Sequence, residues 1–517
     1  METIIKVYPN QYYDSVQLLY ITSAIRKQEG VKTAFIAMGT EANKEVFLDI
    51  GIDGDAIHQA GVNDMVIGVK VEDAIDGNQV VEEVLAMLTS NDQAASENTT
   101  YSTIDSAVKA KPKANFCIIS VPADYAKAEA MKALNAGLHV LIFSDNVPLE
   151  DEREIKLLAE EKGLLCMGPD CGVANINGIS FMTGSIVRKG PIGICAASGA
   201  GLQQVSALIH LAGSGMSQGI GTGGKDLRDK VGGITMLSGI DALERDEETK
   251  IIVLISRKPE KNTLEKILKR ISVCKKPTVV CFMGCEKDMI EESGALYASD
   301  LEDTARKALS LQGIILEEAD TNNIKAIAEM EAAEMAKEQK YVRGLFCGGT
   351  FCEEAMVVMS KTIGDIYSNA PLTPNLKLPV SSVSVANSVV DYGDEEFTKG
   401  RPHPDFDPEP RGLGILREAK DPETAVILLD FIIGPGVHCN PVGAIIADIR
   451  EAMNIVKQRN GKLSVVATVC GTEDDPQKRS SQEAMLRDAG VYVCPSNYQA
   501  ALLVGEIIKS KGGIIGD

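Results

Sequence analysis

The sequence has no tryptophan, and aromatic residues make up only 4% of it, whereas it contains 47 glycines. Sheets of parallel strands that are covered on both faces are built mainly from aliphatic rather than aromatic side chains. A chain of 517 residues is also too long for one hydrophobic core. We therefore expect several α/β domains.

The sequence also lacks a positive net charge and a long apolar run. Its formal net charge is −21, which would repel nucleic acid and anionic membrane surfaces. No apolar run reaches the roughly 18 residues that a membrane-spanning helix requires, and the opening METIIKVYPNQYYDS has no basic or apolar signal region. We expect a cytoplasmic protein that binds neither nucleic acid nor a membrane.

The 12 cysteines do not form the patterns of a disulfide framework or a zinc site. Several lie inside runs typical of strands, FCIIS, GICAAS and VVCFM, which favours buried, reduced thiols. Cys281 and Cys285 bracket three residues, but no second pair and no histidine stands at zinc spacing. We predict no metal site.

Alternating strand and helix patterns divide the chain into four α/β units. Residues 91–103 read as a linker, residues 318–342 as a connecting helix, and residues 371–412 as a long insertion rich in proline and charge. Repeated strand–helix alternation predicts parallel sheets. The four units are residues 1–90, residues 103–188, residues 189–315 and residues 343–517.

Four predicted strands run into glycine loops that are expected to open helices. Glycine lets a backbone approach an anion closely, and a helix N-terminus offers free N–H groups and partial positive charge. The loops therefore predict a site for a small anion, most naturally phosphate, although each glycine alone can equally serve a tight turn. The residues are Ser198, Gly199, Ala200 and Gly201; Gly223 and Gly224; Gly348, Gly349 and Thr350; and Gly434 and Gly436.

Two nucleotide-binding motifs are incomplete in these loops. Residues 219–225 begin like a P-loop, but Asp226 stands where Ser or Thr should bind magnesium. A dinucleotide motif begins at Gly199, but Gln204 replaces its third glycine. No nucleotide or other cofactor is therefore required by the sequence. Thr350 and Glu353 also match a capping box, which is a structural alternative for Thr350.

The insertion supplies the candidate catalytic residues, a cluster of carboxylates, His and Arg within 21 residues: Asp391, Asp394, Arg401, His403, Asp405 and Arg411. Arg401 or Arg411 would clamp a carboxylate or phosphate with two parallel hydrogen bonds. His403 would serve as a general acid or base. The alternative is a solvated acidic loop without a catalytic role.

Several longer stretches resemble a known enzyme architecture. Residues 121–152, MGPDCG at 167–172 and KGPIGICAASGAGLQQ at 189–204 are similar to the α subunit of succinyl-CoA synthetase, and ILLDFIIGPGVHCNP at 427–441 is similar to the carboxyl-terminal domain of its β subunit. FSDNVPLEDE, EKGLLCMGPDCG, VGGI and GRPHPDFDP resemble the acyl-CoA-synthetase-like FdrA family. The resemblance implies a Rossmann-like domain followed by two flavodoxin-like domains.

The departures from the synthetase pattern concern its chemistry. Its phosphorylated histidine has no counterpart, because the corresponding loop reads GCEKDMIEESGA at 284–295. The glycine loop that binds CoA is also missing, which puts CoA in doubt. The FdrA resemblance implies instead a subunit of oxamate carbamoyltransferase in anaerobic allantoin use, with phosphate or carbamoyl phosphate as ligand and other subunits as partners. An acyl-CoA synthetase subunit and a non-catalytic anion-binding scaffold are the alternatives.

Overall fold

The computed structural model describes residues 2–11, 13, 15–26, 28, 30–94, 100–398 and 402–512. These residues form two compact units. The first comprises the described residues of 1–102 and of 395–402, and the second comprises residues 103–394 and the described residues from His403 onward.

The first unit contains a three-stranded antiparallel sheet with strand order β1-β3-β2. Aliphatic side chains of β2, β3 and the neighbouring helices, among them Ile21, Ile36 and Val84, form its core. Its elements are β1 (Glu2–Tyr8), α1 (Ser15–Arg26), β2 (Val31–Met38), α2 (Glu41–Asp49), α3 (Asp55–Gln59), β3 (Met65–Val71) and α4 (Gly77–Ala94). The sheet is antiparallel, and the other sheets are mostly parallel.

The second unit begins with a small parallel sheet of order β4-β5-β6. Gly137 and Gly163 end its two crossover helices with positive φ angles of 81° and 65°, a conformation that glycine adopts at no steric cost. The elements are α5 (Ile104–Ala110), β4 (Phe116–Ile119), α6 (Ala123–Asn135), β5 (His139–Ile142), α7 (Leu149–Glu161) and β6 (Cys166–Met167).

A seven-stranded sheet follows, with order β13-β12-β11-β9-β10-β7-β8. The first five strands in this order are parallel, and the β7–β8 hairpin adds an antiparallel edge. Residues 173–182, which the sequence prediction assigned to the preceding domain, thus belong to this sheet. Its elements are β7 (Val173–Ile176), β8 (Ile179–Met182), β9 (Lys189–Ala196), α8 (Gly199–Leu211), β10 (Met216–Gly221), α9 (Ile234–Arg245), β11 (Ile251–Arg257), α10 (Lys261–Ile271), β12 (Thr278–Met283), α11 (Lys287–Glu291), β13 (Leu296–Tyr297), α12 (Leu301–Ser310) and the connecting helix α13 (Thr321–Glu334).

The last sheet has six parallel strands in the order β15-β16-β14-β17-β18-β19. One hydrophobic core extends across both large sheets and includes Ile194, Phe351 and Leu428. The elements are β14 (Tyr341–Phe346), α14 (Gly349–Ile363), β15 (Tyr367–Ser368), a 3-10 turn (Pro374–Leu376), β16 (Ser388–Asp391), α15 (Glu395–Thr398), α16 (Glu409–Lys420), β17 (Thr424–Ile432), α17 (Pro441–Gln458), β18 (Ser464–Cys470), α18 (Arg479–Asp488), β19 (Tyr492–Cys494) and α19 (Asn497–Ser510).

The predicted insertion 371–412 is therefore more structured than its composition indicated. It contains β16, which lies between β15 and β14 in the sheet, and the start of α16. The α/β class with mostly parallel sheets is confirmed. All twelve cysteines are free. Across the described ranges, no helix is long and apolar enough to cross a membrane.

Candidate functional site

Two of the four predicted glycine loops open helices directly at the carboxyl ends of strands. Helix α8 begins at Gly199, and the Ser198 hydroxyl caps it by accepting a hydrogen bond from the Gly201 N–H at 2.9 Å. Helix α14 begins at Gly349 immediately after β14. These turns have the strand-to-helix geometry that places anions at the edge of a parallel sheet.

The first turns of α8 and α14 face one another. The Ser198 and Thr350 hydroxyl oxygens are hydrogen-bonded at 2.6 Å. A Cβ atom built on Gly348 would lie 3.2 Å from the Cβ of Ala200. The structure thus brings together two loops that are about 150 residues apart in sequence.

Both helix starts carry unused backbone donors. Within the described ranges, no hydrogen bond is recorded for the N–H groups of Gly199 and Ala200 in α8, or of Gly349, Thr350 and Phe351 in α14. Gly199 is exposed and Gly349 is partly exposed. Free N–H groups at two facing helix ends are suited to an anion, because each end also carries partial positive charge.

Gly223 and Gly224 do not open a helix, which corrects the sequence prediction, since α9 begins only at Ile234. Gly223 has a φ angle of 81°, and a Cβ atom on it would lie 2.0 Å from the Pro169 carbonyl oxygen. This contact explains why the position requires glycine. Gly223 still lines one small cleft together with Ser198, Gly199 and Asp170.

Asp226 has a structural role that differs from that of a P-loop residue. It is fully buried beside Lys156, whose ammonium group donates to the Asp226 carboxylate at 2.8 Å, to Glu152 at 2.7 Å and to the Thr222 carbonyl at 2.9 Å. Burial lowers the pKa of Lys156, but the two carboxylates more than offset this and leave it raised. The cluster fixes the loop that carries Gly223.

Gly434 and Gly436 are also not a helix-opening loop, because α17 begins at Pro441. Cβ atoms on these glycines would lie 2.6 Å from the Thr183 carbonyl oxygen and 2.1 Å from the Met182 carbonyl oxygen, respectively. The Gly434 N–H donates to Gln477. Their glycine requirement comes from backbone packing and not from a helix start, so their binding of phosphate stays a prediction.

The predicted capping box at Thr350 is wrong. The N-cap residue of α14 is Gly348, and no side chain caps it. Thr350 is bonded to Ser198, and the Glu353 carboxylate forms an ion pair with Arg257. Both side chains therefore lie at the facing helix starts, but neither caps the N-terminus of α14.

Arg411 cannot clamp a substrate, because it is only 1% exposed. Its guanidinium donates to the Asp430 carboxylate at 2.8 Å and to the Asp430 carbonyl at 2.6 Å. Burial raises the pKa of Asp430 and Arg411 lowers it, for a net increase. Asp430 in turn accepts from the Cys347 and Gly348 N–H groups at 2.8 Å each. Arg411 thus stabilises the turn that leads into α14 through its contact with Asp430.

His403 is the one predicted catalytic residue that the structure places at this edge of the sheet. Its Nδ1 accepts a hydrogen bond from the Asp405 N–H at 3.2 Å, and the Asp405 carboxylate lies 3.4 Å from the same nitrogen. Burial lowers the pKa of His403, but Asp405, Asp391 and Asp430 raise it further, so the net shift is upward. Arg401 lies outside the described residues.

The sequence reasoning missed two charged residues of the site, Arg257 and Asp170, whereas it counted Asp391 among the carboxylates of the insertion. Arg257 ends β11, Asp391 ends β16 and Asp170 lines the cleft. Burial raises the pKa of both Asp170 and Asp391 to about 6, although Asp170 keeps access to solvent. For Arg257 and Asp170, a position at a strand end or in the loop leading to Gly172 is the only signal that the sequence offered.

Comparison with known proteins shows to which family the chain belongs. The Escherichia coli K12 protein YahF is 42% identical to the chain over 510 residues, which cover 98% of this chain and 99% of that protein. The chain belongs to the YahF-like FdrA family. The succinate–CoA ligase [ADP-forming] subunit alpha 2 of Archaeoglobus fulgidus is 30% identical over 159 residues, 30% of this chain and 54% of that protein. The FdrA-family chain thus spans about half of that relative.

Two family models match the FdrA-family chain. Residues 345–507 match the CoA-ligase model, and residues 1–104 match a model described as AllF, heavy metal-associated domain. The structure of ATP citrate lyase from Methanothrix soehngenii in complex with citrate and coenzyme A aligns over 43% of each chain, with 20% identity and a TM-score of 0.37.

The N-terminal residues of this FdrA-family chain do not fit the heavy metal in the name of that model. Residues 1–104 contain no cysteine, and the described residues of the whole chain contain no group of three His, Cys, Asp or Glu that could hold a metal ion. Heavy metals are bound mainly by thiolate and imidazole ligands. Residues 1–104 therefore match the model without the donor set that its name leads one to expect.

Proposed function

We propose that the chain is a subunit of a carbamoyltransferase that interconverts oxalurate plus phosphate with oxamate plus carbamoyl phosphate. The facing starts of α8 and α14, joined by the Ser198–Thr350 hydrogen bond, are the observation that carries the proposal. They offer phosphate a set of free N–H donors on two sides. The match of residues 1–104 to the AllF domain supports a role in allantoin breakdown.

The reaction requires no phosphorylated enzyme. The amide nitrogen of oxamate attacks the carbonyl carbon of carbamoyl phosphate, a C–N bond forms, the bond to the phosphate oxygen breaks, and the amide proton leaves to a base. Free N–H groups at a helix start stabilise both the departing phosphate and charge that develops on the carbonyl oxygen. Residues 284–295 contain no histidine, which is consistent with a direct transfer.

His403 is proposed to polarise the carbamoyl carbonyl group. The ring carries a proton on Nε2 both when it is charged and when it is neutral with Nδ1 accepting from the Asp405 N–H. A Cβ atom on Gly393 would lie 2.6 Å from that Nε2 atom and 3.2 Å from an Asp391 oxygen. The absence of a side chain at Gly393 thus lets the His403 ring lie against this turn, beside Asp391.

An acid–thiol ligase is the second candidate, because residues 345–507 match the CoA-ligase model. This activity would need a phosphate route other than a histidine in the loop 284–295. A non-catalytic anion-binding scaffold is the third candidate. It would bind phosphate through the same helix starts and show neither activity.

One assay separates these candidates. The chain, alone and with the products of neighbouring genes as partner subunits, is incubated with carbamoyl phosphate and oxamate, and oxalurate and phosphate are measured. Absence of oxalurate in every combination would contradict carbamoyl transfer, and CoA-dependent ATP hydrolysis with a carboxylic acid would favour the ligase. His403→Ala should lower the rate by about 100-fold, while His58→Ala, in the first unit, should leave it unchanged.

A further inference from the structure

Hydrogen bonds fix the position of Asp391, and one of its two carboxylate oxygens has no recorded hydrogen bond among the described residues. The residue is 7% exposed at the end of β16. Its backbone N–H and carbonyl are both bonded to the Asn369 side chain at 2.9 Å, and its Oδ1 accepts from the Gly393 N–H at 2.9 Å. Among the described residues, no hydrogen-bond donor is recorded for Oδ2. That oxygen lies 2.6 Å from the point where a Cβ on Gly349 would stand.

Arg257 approaches the same point from the neighbouring domain of the second unit. Its side chain is 54% exposed. Its Nη2 donates to the Gly349 carbonyl at 3.3 Å, and its Nε faces the Glu353 carboxylate. A Cβ on Gly349 would lie 3.5 Å from Nη2. These two contacts leave other N–H groups of the guanidinium available for a ligand.

Arg257 and Asp391 are neighbours without being partners. Both lie within 3.5 Å of the point beside Gly349, yet within the described part of the chain Arg257 forms its ion pair with Glu353. Because Gly349 has no side chain, none of its atoms projects between the two groups. A ligand that enters between Arg257 and Asp391 would meet a cation on one side and a hydrogen-bond acceptor on the other, so it should carry an anionic group next to an N–H donor.

We propose that Arg257 and Asp391 form the acceptor subsite for a small amide with an adjacent carboxylate, an inference that rests on the proposed carbamoyl transfer. Arg257 binds the carboxylate through two parallel hydrogen bonds, and Asp391 Oδ2 accepts a hydrogen bond from the amide N–H. When the amide nitrogen bonds to the carbamoyl carbon and phosphate departs, the amide proton moves to Asp391. In the opposite direction Asp391 returns that proton to the leaving nitrogen.

The charges around Asp391 suit this exchange. Burial raises its pKa to about 6, the Gly393 N–H, His403 and Arg257 lower it, and Asp394 raises it. The carboxyl group is therefore ionised at neutral pH and close enough to neutrality to give the proton back. Cys352 is a further neighbour whose thiol is neutral, because burial raises its pKa well above the usual value.

The test compares binding with turnover in the full chain and its partner subunits. Oxamate and phosphate affinities are measured by calorimetry at pH 7.5 for the wild type, Arg257→Gln, Asp391→Asn and the control Lys258→Gln. Oxamide, which lacks the carboxylate, is the ligand control. Lys258 is also exposed and lies beside Gly284. Its replacement by Gln removes the same charge one residue away from Arg257.

Arg257→Gln should weaken oxamate binding at least tenfold and leave phosphate and oxamide binding within twofold of the wild type. Asp391→Asn should change oxamate affinity less than fivefold but slow oxalurate formation at least 100-fold. Equal loss in Lys258→Gln, or phosphate binding without any oxamate binding, would overturn the subsite. Oxamate binding that depends on Arg257, but with no turnover in any subunit combination, would support the subsite and contradict carbamoyl transfer.

Discussion

The hydroxyl oxygens of Ser198 and Thr350 lie 2.6 Å apart, and this single hydrogen bond joins the starts of helices α8 and α14. Each helix follows a central strand of its own sheet, so the two large sheets meet at their carboxyl edges here. Neither sheet holds the complete set of N–H donors. The anion site that we propose is therefore shared between two domains of one compact unit.

Replacing these two hydroxyls should separate capping from anion binding. Ser198→Ala removes the cap of α8 and should cost about 1 kcal/mol of stability, whereas Thr350→Val keeps that cap and should cost less. Both should weaken phosphate binding. Urea unfolding and phosphate titration measure the two effects. Thr40→Ala, which removes the cap of α2 in the first unit, should reduce stability alone, and an unchanged phosphate affinity in Thr350→Val would contradict the shared site.

Arg411 should prove structural rather than catalytic. Arg411→Met leaves the buried Asp430 carboxylate without its cation, and breaking such a pair typically costs about 3–5 kcal/mol. The measurement is the free energy of unfolding. Adding Asp430→Asn should recover part of the loss, because the uncompensated charge is then removed. A well-folded Arg411→Met protein with weakened substrate binding would restore the predicted clamp.

Gly393→Ala should displace His403 from its position in the site. Its methyl group would lie 2.6 Å from His403 Nε2 and 2.7 Å from the Cys347 carbonyl oxygen, closer than carbon atoms normally approach, and a carbonyl cannot move aside easily. We expect at least a tenfold loss of the transfer rate. Gly505→Ala, whose methyl would have no neighbour closer than 3.5 Å, is the matched control and should retain the wild-type rate.

Stability should fall as pH rises because of Glu354. This carboxyl group accepts from the Leu301 N–H at 2.8 Å and from Asn497 at 2.7 Å, and burial together with Asp300 and Glu302 raises its pKa to about 8. A raised folded-state pKa stabilises most fully below the unfolded value of 4.5, and this contribution is lost as pH rises through about 8.

Glu354→Gln should flatten that pH dependence. The variant is expected to be less stable than the wild type at pH 5, because one amide N–H would face the donating Asn497 nitrogen, but it cannot ionise. Melting temperatures between pH 5 and 9 measure the difference. Parallel curves for the two proteins would show that Glu354 does not titrate in this range.

The fold was largely predictable from the sequence because the buried parallel strands are continuous apolar runs. Runs such as those of β11, β12, β17 and β18 are visible without any structural information. Strand β16 escaped because it is four residues long and is surrounded by proline and charge. The β7–β8 hairpin was assigned to the wrong sheet because strand pairing across domains leaves no local signal.

The site was less predictable because a glycine in the sequence can indicate either a helix start or a close backbone contact. Gly199 and Gly349 begin helices, whereas Gly436 is required by a carbonyl oxygen of Met182, and all three stand in similar sequence surroundings. Arginine is equally ambiguous. Arg411 is buried together with the Asp430 carboxylate, whereas the side chain of Arg257 is 54% exposed beside Glu353. This difference depends on tertiary packing, so the sequence does not reveal it.

The position of β16 also constrains when the site can exist. Asp391 ends β16 and Gly349 follows β14, and these two strands are adjacent in the sheet although the whole segment from α14 to β16 separates them in sequence. During synthesis, β14 and α14 emerge from the ribosome well before Asp391. The nascent chain therefore displays the anion-attracting end of α14 before the carboxylate that is to work beside it has been made.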